Sequence, residues 1–348
     1  MIMSGSVSDF VSLTKPKVVI LLQITAICSV MIHEVEGSEL GSNSIRTMLL
    51  VLVGGYLTAG GANAINMWYD SDIDPKMSRT SKRAIPQGRV SPGSALAFGV
   101  IVSILGVLWF YFLTNSVAAV WSALSILFYV LVYSMWLKRR TPQNIVIGGA
   151  AGSTPPIIGW AACEDSLSVS LGSLNSLLES IFDLGSLMPW FMFILIFLWT
   201  PPHVWALVLY RSDEYTEVGV PMMPGVKGKE RTIVEMKIYC VMLVFLSMAA
   251  PMSLGGVDSG DWVFYVLGLT AVMLSLWYSS TIWRIDINES PDKSGRIISA
   301  ARSFFLSMLY LALMFVVLVT ASFGLVGSVL GAGISVIAIG RVELLSGQ

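Results

Sequence analysis

Asn66, Asp70 and Asp74 recur at intervals of four near the end of an apolar run, in the stretch "NAINMWYDSDIDPKMSRTSKRAIPQG". On an α-helix each such step turns about 400° and rises about 6 Å, so the three side chains share one narrow face. A row of oxygen ligands suits a hard dication. Mg²⁺ takes a few carboxylates and leaves positions for water and phosphate oxygens. Asp72 points elsewhere on that turn and reaches the row only if the helix frays before Pro75, which ends the regular pattern. Lys76, Arg79, Lys82 and Arg83 follow at once, so one segment can hold a metal and a polyanion together. The plainer alternative is a helix that has reached water, where aspartate is ordinary. The cations that follow favour a site.

Further along lie other groups with chemistry. Asp213 and Glu214, in "LYRSDEYTEVGVPMMPGVKGKERT", could supply a second set of metal ligands, with Arg211, Lys227, Lys229 and Arg231 beside them. Charged loops are common, so this cluster gains weight only from its pairing with the first. His203, in "FLWTPPHVWALVLY", sits in an apolar segment beside Pro201 and Pro202. Ionisable groups at such positions usually face a cavity. Metal ligation, a substrate hydrogen bond, proton transfer and a structural bond to a nearby carbonyl all stay open. In "VYSMWLKRRTPQNIVIGGAAGSTPPIIGW", Tyr133, Lys138, Arg139 and Asn144 crowd one rim, and Gly148 and Gly152 form a GxxxG contact pattern. Trp68, Tyr69, Tyr133, Trp136, Trp199 and Trp205 can anchor at an interface or shield a cation with their faces. His33, in an acidic loop, reads as solvated. Cys28, Cys163 and Cys240 form no CxxC pair and read as small buried hydrophobes.

The elements that carry these residues are membrane helices. Of the 348 residues, 55% are hydrophobic and only 12% charged, about half the charge of a soluble domain. Mean hydropathy is +0.76. The net charge of −1 gives no field that would draw nucleic acid. The expected fold is all-α, a polytopic membrane helical bundle in one domain spanning residues 1–348. Nine spans are expected, at roughly 17–33, 45–69, 94–114, 117–137, 143–162, 187–209, 233–254, 261–283 and 302–322. The first is a retained helix and not a cleaved signal. The segment 163–188 reads as an outer-face insertion with a short amphipathic helix. The tail "GLVGSVLGAGISVIAIG" stays open between a re-entrant piece, a tenth span and an extension of the ninth. With these spans every Lys and Arg except Arg46 and Arg341 falls on one side, and the opposite loops are acidic or small. The positive-inside rule then puts the N-terminus and the polar mouth in the cytoplasm and the C-terminus outside, in a plasma membrane of prokaryotic type.

NxxxDxxxD at the end of a membrane helix, followed by a basic loop, resembles the UbiA-type intramembrane prenyltransferase superfamily. "LTKPKV" (13–18), "DPKMSRTSKRAIPQGRVSP" (74–92), "LKRRTPQNIVIGGAAGSTPPIIGW" (137–160), "WTPPHVWAL" (199–207) and "YTEVGVPMMPGVKG" (215–228) are similar to the protoheme IX farnesyltransferase (haem O synthase) family within it. The strings run from the first span to the loop between the sixth and seventh, through nearly the whole catalytic core of a domain core at about 15–322. The last two spans match only in character. The usual R-P-L-P of that family is Arg83-Ala84-Ile85-Pro86 here, which keeps the charge but loses one proline's restraint. The 163–188 loop is also longer than the family leads one to expect.

The resemblance implies transfer of the farnesyl group of farnesyl diphosphate to a vinyl group of haem B, giving haem O for terminal oxidases. Mg²⁺ is the implied cofactor, and haem B is substrate. Asn66, Asp70 and Asp74 would bind Mg²⁺–diphosphate. Arg79, Lys82 and Arg83 would meet diphosphate or haem propionates. Lys138, Arg139 and Asn144 fall on the family's LKR-x-T-x-x-N string, and His203 on its TPPH histidine. Glu214 and Tyr215 match an acidic–Tyr pair, and Arg211 a nearby basic residue. Haem A synthase, oxidase-assembly partners and a homo-oligomer stay open as partners beside the bilayer. Two other readings compete. One is a UbiA-type enzyme acting on an aromatic acid or a glycerol-phosphate lipid. The other is a secondary transporter, whose charges would sit at the midplane and not at one face.

Overall fold

The computed structural model describes residues 5–37, 40–78, 80–210, 219–290, 292 and 297–346. Helices dominate, and the described residues contain no strand. Backbone groups in hydrocarbon need partners within their own segment, which helices supply. In chain order these are α1 (Val7–Leu13), α2 (Pro16–Gly37), α3 (Ser42–Tyr69), α4 (Pro92–Leu113), α5 (Ser116–Leu137), α6 (Asn144–Ser153), α7 (Pro155–Ala161) and α8 (Leu174–Phe182). There follow α9 (Met188–Tyr210), α10 (Met223–Lys227), α11 (Lys229–Met248), α12 (Ala250–Ser253), α13 (Trp262–Trp283), α14 (Ile298–Ser322) and α15 (Gly324–Ser346). Local chemistry sets several starts. Ser91 caps α4 just before Pro92, and Asn115 caps α5 through the Ala118 N–H. Ile101, Leu105, Phe112, Leu124, Leu269 and Phe305 are exposed on the flanks of these helices. That pattern fits lipid and not water.

Among the described residues eight helices are long and apolar enough to cross a membrane. Two of the nine expected spans are not among them. The 143–162 segment is two helices, because Pro155 and Pro156 bring no N–H and the ladder stops at Thr154. The 233–254 segment starts earlier, at Lys229, and breaks before Pro251; Glu230, Arg231, Glu235 and Lys237 make its first half polar.

The Gly-rich tail is a helix of its own. Gly324, at φ +82°, reverses the chain, and α15 packs back along α14. A Cβ on Gly331 would meet the Thr320 hydroxyl and lie 3.3 Å from the Val317 Cα, so only glycine allows this approach. Near the tail's end Glu343 accepts from Arg284 Nη1 and Arg302 Nη2, both at 3.1 Å. Arg284 caps the end of α13 and Arg302 lies near the start of α14, both at the basic end. The end of α15 therefore lies at the basic end of the bundle, which corrects the expectation of a C-terminus on the opposite side. The sequence reading failed there because the tail carries Arg341 as its sole basic residue and a glycine hinge inside an unbroken apolar run. With the reversal Arg341 joins the basic end, and among the described residues Arg46 remains the one exception.

Helix α8 has no buried residue and exposes Leu174, Leu178 and Phe182. Trp121 and Trp160 tie its end down by donating to the Ile181 and Leu184 carbonyls at 3.0 and 3.2 Å.

The element that carries the acidic row, α3, packs mainly on α4. Gly61 and Gly99 form the crossing: a Cβ on Gly99 would sit 2.9 Å from the Ile65 nitrogen and 3.0 Å from the Gly61 carbonyl oxygen. Small residues let two membrane helices touch backbone to backbone. Gly99→Val should cost about 1–3 kcal/mol and lower the melting temperature in detergent. Gly152→Ala, whose Cβ would meet nothing within 4 Å, should not. Equal melting curves for Gly99→Val and the unaltered protein would refute the crossing.

Candidate active site

Helix α3 ends at Tyr69, short of the full row, with Asp70 as its cap. The spacing survives because the Asp74 N–H donates to the Asp70 carbonyl at 2.9 Å, one further helical turn, before a tight turn at Asp74–Lys76. Asn66, Asp70 and Asp74 are all buried, the two aspartates at 1% and 3% exposure. Buried carboxylates need cationic partners, and each finds one on a different element. Lys138 Nζ donates to Asp70 Oδ2. Arg83 Nη1 donates to Asp74 Oδ2 at 2.7 Å. Thr80 fixes the loop by donating to the Asp74 carbonyl at 2.8 Å.

Asn66 accepts from Lys15 Nζ at 2.9 Å and donates to Ser134 Oγ at 3.0 Å. In the sequence Lys15 enters only the tally of basic residues on one side and the "LTKPKV" string. Its backbone is left-handed, at φ 51°, a conformation that costs a side-chain-bearing residue about 1–2 kcal/mol. The turn is held all the same, since Asn63 donates to the Thr14 carbonyl at 3.1 Å and Thr14 bonds the Tyr56 hydroxyl at 2.8 Å. Burial and the nearby Arg83 and Lys138 push the Lys15 amine down to about 7.

Ser134 lies where α5 widens to i→i+5 bonding over Phe128–Leu137. The Lys138 N–H donates to the Tyr133 carbonyl at 2.9 Å, so the widening also sets where Lys138 starts. Such wide turns are frequent at functional sites. Arg139 takes Asp72 with two bonds of 2.7 Å, donates to the Tyr69 carbonyl at 3.0 Å and lies 4.7 Å over the Tyr69 ring. The guanidinium holds the Asp72 carboxyl below the usual range. Asp72 is thus engaged beside the row and not in it.

The other expected site residues divide. Tyr133 stacks on Tyr129 at 5.4 Å and lines a chamber described below. Asn144 is fully buried and donates to the Thr141 and Pro221 carbonyls at 2.6 and 3.2 Å. It therefore pins the 219–222 loop to the 138–144 turn. Ile73, Ile145, Val208, Val220 and Met222 pack as one cluster there, which brings the described part of the second loop against Ile73, next to Asp74 in the chain. Lys82 and Lys227 are exposed and are not drawn into it. His203 stands in a stack, 4.1 Å from Trp199 and 4.7 Å from Phe304, with Nδ1 2.6 Å from Ser307 Oγ. Arg79, Arg211, Asp213, Glu214 and Tyr215 lie outside the described residues.

Beneath the row is an apolar chamber of about 380 Å³, walled by Asn63, Tyr129, Tyr133, Gly148, Gly152 and Val204. A second, of about 500 Å³, lies between α2, α9 and α14 against Trp199. The two share Val18, Leu22, Gly152 and Thr200 as walls. Of the GxxxG pair, only Gly148 is a contact, against the Tyr133 ring; Gly152 faces open space.

A donor set of one amide and two carboxylates, all oxygen, suits Mg²⁺. The buried Asp70 Oδ1 accepts no hydrogen bond among the described residues and stands 3.7 Å from Arg139. It is the atom left for an ion. The residues present fit the group.

An intramembrane helical bundle with an acidic row, matched cations and apolar chambers defines a prenyltransferase scaffold. Residues 37–307 match the UbiA prenyltransferase family, and the chain belongs to that family. Among curated relatives it is 41% identical over 327 residues to the protoheme IX farnesyltransferase of Parvibaculum lavamentivorans, covering 93% of this chain and 92% of that protein. It is 39% identical to the protoheme IX farnesyltransferase of Bartonella tribocorum, with 89% of each chain covered. Among solved structures, a digeranylgeranylglyceryl phosphate synthase superposes at TM-score 0.66 with 17% identity, over 91% of this chain and 99% of that one. A UbiA homologue of Archaeoglobus fulgidus bound to DMAPP and Mg²⁺ superposes at 0.57 with 14% identity, over 90% and 99%. At those identities the likeness shows the fold.

Removing a partner from a buried ion pair leaves an uncompensated charge, at a cost of about 3–5 kcal/mol. An exposed pair contributes about 0–1 kcal/mol. Lys138→Met should therefore lower thermal stability markedly, because Asp70 has 2% side-chain exposure. Asp72→Asn, at 59% exposure, should barely change it. Equal melting shifts in the two variants would contradict the pairing described.

Proposed function

We propose that the chain transfers the farnesyl group of farnesyl diphosphate to a vinyl carbon of haem B, forming haem O. The observation that carries this is the buried Asn66–Asp70–Asp74 row with a cation on each carboxylate, above two adjoining apolar chambers. The curated relatives are protoheme IX farnesyltransferases over about nine-tenths of their length. Asn66, Asp70 and Asp74 would hold Mg²⁺, which when bound supplies positive charge for the diphosphate.

Lys15, Arg83, Lys138 and Arg139 surround the row and would take diphosphate oxygens as the carboxylates turn to the ion. The allylic C–O bond breaks and diphosphate leaves with the electron pair. The stacked Tyr129 and Tyr133 faces line the first chamber and stabilise positive charge on the allylic carbon. The vinyl carbon attacks. Water adds to the cation formed beside the ring and gives up a proton. We assign the first chamber to the prenyl chain, directly under the row. The second, walled by Trp199 with His203 stacked behind it, takes the macrocycle. The polar mouth lies at the basic end and faces the cytoplasm by the positive-inside rule.

Purified protein with haem B, farnesyl diphosphate and Mg²⁺ should yield a haem heavier by one hydroxyethylfarnesyl conversion, read by mass. Asp74→Asn should lose about 10²-fold or more in rate, the scale of a lost electrostatic group. No new haem, or full activity in Asp74→Asn, would overturn the reading.

Lys15 adds a pH dependence. Its folded-state value is depressed to about 7, so the unfolded chain binds more protons between pH 7 and about 10.5. The destabilisation is complete below pH 7 and is relieved as pH rises across that window. A bound diphosphate restores the ammonium. At pH 8, pyrophosphate binding should take up close to one proton, measured by calorimetry in buffers of different ionisation enthalpy. Lys15→Met should take up less; equal uptake would remove Lys15 from the anion site.

A further inference from the structure

At the end of the bundle away from the basic loops, helix α2 and the chain after α7 bring His33, Glu34, Cys163 and Glu164 together. The sequence placed His33 in a solvated loop. In the structure it is in α2, its side chain 15% exposed, edge-on to Trp160 at 4.8 Å. One ligand atom each from His33, Glu34 and Cys163 lie within 4.8 Å of one another.

One hydrogen bond selects the tautomer of the neutral imidazole. Nε2 is 3.1 Å from Glu164 Oε1. An ionised carboxylate can only accept, so Nε2 donates, and in the neutral ring that a metal requires Nδ1 then presents the lone pair. Nδ1 is buried, has no hydrogen-bond partner among the described residues, and lies 3.6 Å from Glu34 Oε1. A carboxylate on one ring nitrogen and an open lone pair on the other is the arrangement that orients metal-bound histidines. Glu34 is itself positioned, accepting from Ser44 Oγ at 2.5 Å. Asn115 anchors the Cys163 segment by donating to the Ala161 and Glu164 carbonyls at 2.5 and 3.0 Å.

We propose that His33 Nδ1, Glu34 and Cys163 Sγ form a site for a borderline transition-metal dication, of which Zn²⁺ is the type, with Glu164 orienting the histidine. Mixed nitrogen, sulfur and carboxylate ligands select such ions over Mg²⁺ or Ca²⁺. Three protein ligands leave a fourth position, and a polar cavity of about 200 Å³ opens beside Glu34 and Cys163. Arg46 and Asp165 line the same cavity. Without metal, burial and the Glu34 and Glu164 carboxylates push the Cys163 thiol up. The same carboxylates attract a cation, and its binding would release the thiol proton. The ion would tie the 163–188 loop to α2.

The test is titration of Co²⁺ into protein purified without a polyhistidine tag, in excess Mg²⁺ and a reductant. One equivalent should bind with a near-ultraviolet thiolate-to-cobalt band, displaced by Zn²⁺. Cys163→Ser should lose the band, and Glu164→Gln should weaken Co²⁺ at least about tenfold. Zn²⁺ should raise the melting temperature of the unaltered protein but not of His33→Gln, which otherwise melts normally. Absence of the band at one equivalent, its persistence in Cys163→Ser, or equal Zn²⁺ stabilisation of His33→Gln would overturn the proposal. Oxygen-ligated Co²⁺ at the Asp70–Asp74 row gives no thiolate band, so the two sites are read separately.

Discussion

Two carboxylates taken out of water dominate this molecule. Asp70 and Asp74 are nearly fully buried, and an isolated ionised carboxylate in that setting costs several kcal/mol. Lys138 and Arg83, from two different segments, offset the cost. That requirement shapes the surrounding structure. The i→i+5 stretch of α5 brings Lys138 to Asp70. The loop after the row curls back so that Arg83 reaches Asp74 nine residues upstream. Lys15 adopts a left-handed backbone to lie on Asn66. A cluster of opposite charges that satisfies itself without ligand is also ready to be divided between a cation and an anion. On the proposed function the carboxylates would go to the metal and the ammonium and guanidinium groups to the diphosphate.

The apolar half of the site follows from packing. Glycines 148, 149 and 152 thin α6 where it faces α5 and α9, and Gly152 leaves space in place of a contact. The two chambers share α2 and α6 residues as walls. Substrates in the two chambers would therefore lie side by side, with their reactive ends under the row. The Tyr129–Tyr133 stack lines the first chamber, and Asn144 holds the 219–222 loop to the turn beside it. On the proposed function an allylic cation formed there would face the tyrosine rings.

What could be read from the sequence was what is local. An interval of four is a property of one segment, and Asn66, Asp70 and Asp74 remain neighbours even though α3 stops at Tyr69. Hydropathy marked the long helices because a membrane asks for about 20 apolar residues in a row. Contacts between distant segments were not legible. Lys138 and Asp70 are 68 positions apart, and Lys15 and Asn66 are 51 apart. Nothing in spacing pairs them. The reversal at Gly324 was hidden because a glycine hinge inside an apolar run leaves hydropathy unchanged. His33 was misplaced because the charges that follow it in sequence extend the exposed-looking loop back over a helical turn that is buried against Trp160.

If the buried pairs are divided between ion and substrate, the two ligands must depend on each other. Isothermal titration of a non-hydrolysable farnesyl diphosphate analogue, with and without Mg²⁺, tests this directly. The account predicts that Mg²⁺ tightens the analogue by about tenfold or more, a coupling above about 1.4 kcal/mol, and that Asp70→Asn abolishes the coupling. Equal affinity with and without Mg²⁺ in the unaltered protein would contradict it.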